Sequence, residues 1–206
     1  MNDLDFSALL VSRVCHDLVS PLGAVVNGLE VLEDERDAAM RADALKIVAS
    51  SAAQALARIQ FMRIAFGAAG SAGAELDLGE VGRLIEGLFA GGKIGLEWNA
   101  ANASWPKDWA KLLMNATLLA ADCLPRGGVV SVSVDPGRAQ PAFKIEAKGP
   151  QARVIEEVEH AVRGEASSAQ PDARGVQPLL TYKLARGLNA GLTLTAGEGR
   201  VELAAG

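Results

Sequence analysis

Histidine, cysteine and tryptophan are scarce in this chain, at two, two and three among 206 residues. Cys15 and Cys123 lie far apart and are too few for a disulfide framework, which leaves the cytoplasm as the default compartment. The three tryptophans read as core or interface anchors. No run of about 18 apolar residues occurs, and the acidic N-terminal stretch lacks a basic leader start, so neither a membrane span nor a secretory signal is expected. A basic block is also missing. The net charge of −5 argues against nucleic-acid binding. Apolar residues are plentiful, at 50 % of the chain, enough to give one large domain or two small ones real cores.

The first half carries helical periodicity. Val11, Cys15, Leu18, Leu22, Val25, Leu29 and Leu32 recur at alternating three- and four-residue spacing, the seam of a helix packed in a bundle. Cys15 then reads as a small core residue. At ~100° per residue, His16 falls roughly 140° from the centre of that seam. Arg13, Ser20, Gly23 and Asn27 fall on the same outer side. His16 is therefore expected to protrude among polar and very small neighbours, within reach of another protein's active site. Pro21 sits inside the apolar pattern, where it removes a backbone bond and strains the helix by about 3 kcal/mol. A bend one turn past a protruding histidine points to function.

The stretch Arg13-Val14-Cys15-His16-Asp17-Leu18-Val19-Ser20-Pro21-Leu22-Gly23 closely resembles the H box of bacterial sensor histidine kinases. In that family the histidine accepts the phosphoryl group on the first helix of the dimerisation and phosphotransfer domain. This first helix is predicted from about Asp5 to Glu33, with Asp34 to Asp37 as a charged connection. A second helix follows, with Leu45, Val48, Ala52, Ala55, Ile59, Met62 and Phe66 in register. Two helices alone cannot bury stripes of this length, so residues 1–67 are expected to form a hairpin that dimerises into a four-helix bundle. The alternative is a hairpin packed only on its own second half.

Gly67 to Gly73 has the composition of a linker. Residues 75–206 then interleave helix and strand. Helices are predicted at Leu78–Phe89, after a Ser104 cap with Pro106 in its first turn, at Val154–Val162 and at Leu179–Leu188. Strands are predicted at Ile94–Trp98, Val129–Val134 and Ala142–Ala147, with a final hairpin of Leu192–Leu194 and Arg200–Leu203 around Gly197-Glu198-Gly199. The fold class is α+β: the helical hairpin followed by an α/β sandwich. The order of elements resembles the Bergerat-type ATP-binding domain of the same kinases, with its chemistry degenerate. Counting back from Pro125, the first asparagine of the family's N box aligns with Asn115, but the magnesium-binding one aligns with Leu119. The adenine-reading aspartate aligns with Ala147 and a later glycine with Gln151. The phosphate lid reduces to Arg174-Gly175-Val176-Gln177-Pro178, where Pro178 removes a backbone donor. ATP binding is not expected.

A phosphoacceptor histidine joined to a disabled nucleotide domain resembles the ChpT family of alphaproteobacterial histidine phosphotransferases. Arg13, Cys15, Gly23, Ala24, Asn27, Gly28, Leu29 and Glu30 extend that match beyond the generic box. The resemblance implies a dimeric phosphorelay shuttle that takes phosphate from the receiver of a CckA-like hybrid kinase. It would pass the group to CtrA-like and CpdR-like response regulators that govern the cell cycle. His16 would attack the receiver's aspartyl-phosphate in line, and the receiver would bring its own Mg²⁺, so no cofactor or metal is expected on this chain.

Asp17 is a candidate to bond Nδ1 and select the tautomer. Adjacent helical residues do not face each other, so that contact depends on rotamers and on the bend at Pro21; a solvated helix charge is the alternative. Arg13 is placed to neutralise the incoming group, Ser20 to satisfy a carbonyl freed by Pro21, and Gly23 to give clearance. His160 has no motif around it and reads as a surface residue. Two rivals remain, an ATP-dependent kinase and a pseudo-kinase adaptor that binds receivers or kinases without transfer.

Overall fold

The computed structural model describes every residue except 68–73, 101–102, 136–139, 165–171 and 174. Most of the expected linker, and Arg174 of the vestigial lid, therefore lie outside the described residues. Helix α1 spans Asp3–Asp34 and α2 spans Ala38–Ala65. Asn2 caps α1 by accepting from the Asp5 N–H, and Asp37 caps α2 by accepting from Ala39 and Met40. Between them, the Glu35 carboxylate accepts from the N–H groups of Arg36 and Asp37, which lowers its pKa. The charged connection is thus a pair of caps, and α1 runs slightly longer at both ends than the periodicity predicts.

The two helices meet through small residues. Pro21 and Gly28 on α1 and Ala44, Ser51 and Ala55 on α2 are buried. A Cβ on Gly28 would stand 2.6 Å from Val48 Cγ2, so glycine sets how closely the helices approach. The stripe expected to be the seam is covered only in part within one chain, with Leu18, Val25 and Leu32 half-buried and Ala55 and Met62 buried. Val11, Leu22 and Leu29 are 62, 48 and 49 % exposed, and Leu45, Leu56 and Ile59 on α2 are similarly open. Cys15 is exposed too, and is no core residue within this chain. Each helix carries two apolar faces, one used inside the hairpin and one left free. Among the described residues, α1 is the one helix long and apolar enough to cross a membrane, with mean hydropathy 1.4 over an 18-residue window, although its sequence holds no unbroken apolar run.

Beyond residue 74 come β1 (Glu75–Asp77), α3 (Leu78–Phe89), β2 (Ile94–Asn99), β3 (Ser104–Pro106) and α4 (Lys107–Asp122). Then follow β4 (Gly128–Val134), β5 (Phe143–Lys148), α5 (Glu156–Arg163), α6 (Val176–Gly187), β6 (Thr193–Gly197) and β7 (Arg200–Ala205). Five strands form one mixed sheet in the order β2-β4-β5-β7-β6, with β2 and β4 parallel and the other pairs antiparallel. Val130, Val132, Ile145, Ala147, Val201 and Leu203 point alternately into the core against α4. Lys144, Glu146, Lys148 and Glu202 pair on the opposite, wet face. This is the predicted helix-and-sheet sandwich.

Some boundaries differ from expectation. Ser104 does not cap α4: Ser104–Pro106 form β3, which pairs antiparallel with β1, and the predicted helix opens only at Lys107, with Pro106 at its cap position. Trp105 points inward there and meets Trp109 edge-to-face at 6.3 Å, so tertiary burial overrides the capping signal. Helix α6 starts three residues before its predicted start and takes Pro178 into its first turn, where a missing N–H costs no helical bond. A second core joins the two halves of the chain: Phe61, Met62 and Ala65 at the end of α2 pack with Val81, Ile85, Ala110 and Met114.

Candidate functional site

His16 stands on α1 with its side chain 63 % exposed. Its Nδ1 lies 3.1 Å from Asp17 Oδ1, and Arg13 Nε donates to Asp17 Oδ2 at 2.8 Å. Pro21 lies within α1 and leaves its mark on the backbone of Asp17. Proline brings no N–H to the Asp17 carbonyl four residues earlier, so that oxygen is open. Arg58 Nη1, reaching across from α2, donates to it at 3.2 Å. Arg58 therefore takes the role expected of Ser20, which is exposed on the outer side.

A neutral ring that holds its proton on Nδ1 against Asp17 would leave the lone pair on Nε2. A Cβ on Gly23 would meet nothing within 4 Å, so this glycine answers no packing need inside the chain. An apolar groove of about 440 Å³ continues along the same flank of the hairpin, between Ala24, Asn27 and Val31 on α1 and Met40, Asp43 and Ile47 on α2.

The second half of the chain borders this flank. Helix α6 reaches the start of α1, where Lys183 Nζ lies 4.8 Å from the centre of the Phe6 ring. Asp122, at the end of α4, interacts electrostatically with both Arg13 and Asp17. Though the residue keeps an exposed edge, desolvation of its carboxyl raises its pKa to about 6; Arg13 opposes that shift, while Asp17 and Glu157 add to it. His160 lies 3.9 Å from Glu156 on α5 and joins none of these groups.

The family model described as histidine phosphotransferase C-terminal domain matches residues 78–200. The chain belongs to the histidine phosphotransferase family. It is 41 % identical to the protein phosphotransferase ChpT of Brucella abortus, over 90 % of this chain and 87 % of that one. A solved bacterial phosphotransferase superposes with a TM-score of 0.91 at 36 % identity, covering 100 % of this chain and 98 % of its own. The histidine kinase domain of Erythrobacter litoralis EL346 superposes with a TM-score of 0.50 at 17 % identity, over 89 % of this chain and 94 % of that one, and shares the fold. Phosphotransfer is thus the function of this histidine phosphotransferase.

The positions that the sequence resemblance aligned with a nucleotide site are filled from within. Leu119 and Ala147 are fully buried among core side chains. Asn115 is buried as well, and its Nδ2 donates to the carbonyls of Ala65 and Lys111, both at 2.9 Å. Gln177, a remnant of the lid, donates to the Asn115 carbonyl at 3.0 Å and lies 3.3 Å from both Asn115 Oδ1 and Thr181 Oγ1. These side chains bond to one another and to the end of α2. Sequence reasoning placed Asn115 and Gln177 in their boxes and missed this link. It also missed Asp122, which no motif marks, and Arg58, whose only signal was the open carbonyl implied by Pro21.

Proposed function

We propose that His16 is the phosphoacceptor of a multistep phosphorelay, exchanging a phosphoryl group with receiver aspartates. The observation that carries this reading is the exposed imidazole with Nδ1 held by a clamped Asp17. Nε2 attacks the phosphorus of a receiver's aspartyl-phosphate in line; the N–P bond forms as the acyl O–P bond breaks, and the aspartate carboxylate leaves. The proton on Nδ1 stays in its bond to Asp17, whose carboxylate faces the positive charge that develops on the ring. Arg13 shares that carboxylate and would help to neutralise the phosphoryl oxygens. Onward transfer reverses the step. Gly23 and the groove beyond it give a receiver room to seat, and the receiver supplies Mg²⁺ and its aspartate, so this chain contributes neither metal nor cofactor.

The open apolar stripes of α1 and α2 support a homodimer with a four-helix bundle, His16 facing outward. CckA-like hybrid kinases as donors, CtrA-like and CpdR-like regulators as acceptors, and a cytoplasmic location follow from the family likeness. The filled positions at Leu119, Ala147 and Gln177 support a protein that neither binds ATP nor phosphorylates itself.

The test is transfer from a radiolabelled phosphorylated receiver to the wild type and to His16→Ala, beside an ATP-only control. Label on the wild type alone, and none from ATP, is the expected result. Label from ATP would restore the kinase reading. Absence of label throughout would favour an adaptor that binds receivers without transfer.

A further inference from the structure

We infer that Arg58 is a positioning residue for the phosphoacceptor, acting through the Asp17 carbonyl that Pro21 leaves open. The inference rests on the reading of His16 given above and extends it to α2, forty-two positions further along the chain.

Three contacts converge on Asp17. Arg58 Nη1 holds its carbonyl at 3.2 Å, Arg13 Nε holds Oδ2 at 2.8 Å, and Oδ1 meets His16 Nδ1 at 3.1 Å. An arginine normally seeks a carboxylate, where its planar fork makes two bonds. Among the described residues Arg58 is in no ion pair, and its guanidinium is spent on a neutral backbone oxygen. That oxygen is the one left without a helical donor by the proline of the motif. Pro21 and Arg58 therefore work as a pair. The proline opens the backbone at the residue after the histidine, and the arginine ties that opening to the neighbouring helix. The tie fixes the Asp17 peptide, hence the carboxylate, hence the ring nitrogen that keeps the proton.

A double-mutant cycle tests the pairing. Arg58→Met keeps the apolar stem and removes the donor; Pro21→Ala returns an N–H to the helix and closes the carbonyl. Arg58→Met alone is expected to slow receiver-to-His16 transfer about tenfold or more, in line with the cost of small misplacements at reacting groups. With Pro21→Ala already present, adding Arg58→Met is expected to cost less than about twofold, since the carbonyl has its helical donor back. A second readout does not need transfer at all. NMR of nitrogen-labelled histidine, simple here because the chain holds only two, reports which nitrogen of His16 is protonated. Arg58→Met should convert a predominantly Nδ1-protonated ring to a tautomer mixture, and should leave the ring unchanged in the Pro21→Ala background. Equal losses with and without Pro21→Ala, or an Arg58→Met protein indistinguishable from wild type, would overturn the inference. A wild type that accepts no phosphate from receivers would instead overturn the phosphoacceptor reading, and the tautomer cycle would still decide the role of Arg58.

Discussion

Asp17 is a single residue put to three uses. Its backbone oxygen receives Arg58, one carboxylate oxygen receives Arg13, and the other meets the imidazole. Asp122 adds a second carboxyl nearby, and its pKa near 6 against an ordinary 3.8 makes a signed prediction. A raised acid pKa in the folded state stabilises the fold fully below the unfolded value and loses that contribution as pH rises through the folded one. Asp122→Asn should therefore raise the melting temperature at pH 8, where the wild type carries a poorly solvated charge. The advantage should shrink through about pH 6 and vanish near pH 4, as the wild-type carboxyl becomes protonated in both states. Melting curves at a series of pH values check this; an advantage that is constant with pH would assign the effect to packing.

Among the elements, α1 was the most legible, and the short strands β1 and β3, which the sequence did not announce, the least. The histidine, the carboxylate beside it and the outward phase of His16 could be read from spacing, because a helix converts sequence separation directly into angle. The same spacing could not say which of two apolar faces meets α2. Gly28 and Pro21 decide that, and small residues carry little hydrophobic signal however tightly they allow helices to approach. The start of α4 misled for a different reason: Ser104 and Pro106 look like a cap, but Trp105 between them is worth more buried in the core than the cap would be. Arg58 was beyond reach because its partner is a backbone atom on another helix. The Asn115 link belongs to this scale. Asn115→Leu removes the donor to the Ala65 carbonyl at the end of α2, and a buried acceptor left unmet costs about 1–3 kcal/mol. Thermal unfolding should fall by about 2–4 °C per kcal/mol for a chain of this size, with faster amide exchange at the end of α2. Unchanged melting would mean that solvent reaches that carbonyl.

For the whole molecule, the unsatisfied surface is the free stripe along the hairpin, where Val11, Leu22 and Leu29 on α1 and Leu45, Leu56 and Ile59 on α2 stand exposed. A stripe of that kind, repeated on two helices of one hairpin, matches a second copy of itself. Light scattering should find the wild type at twice the chain mass of 21.4 kDa, and Leu22→Glu with Leu56→Glu should bring it towards a single chain. A wild type at 21.4 kDa would remove the bundle from the account.

The lone protruding ring of His16 also has a consequence for traffic. As the phosphoacceptor proposed above, its one nitrogen would be a single berth that a donor and an acceptor could not occupy together. Each visitor would have to leave before the next could load or unload, so an idle partner in excess would block the berth as effectively as a lost donor. Signal strength through such a relay would follow the relative abundance of its visitors as much as the phosphorylation of any one of them.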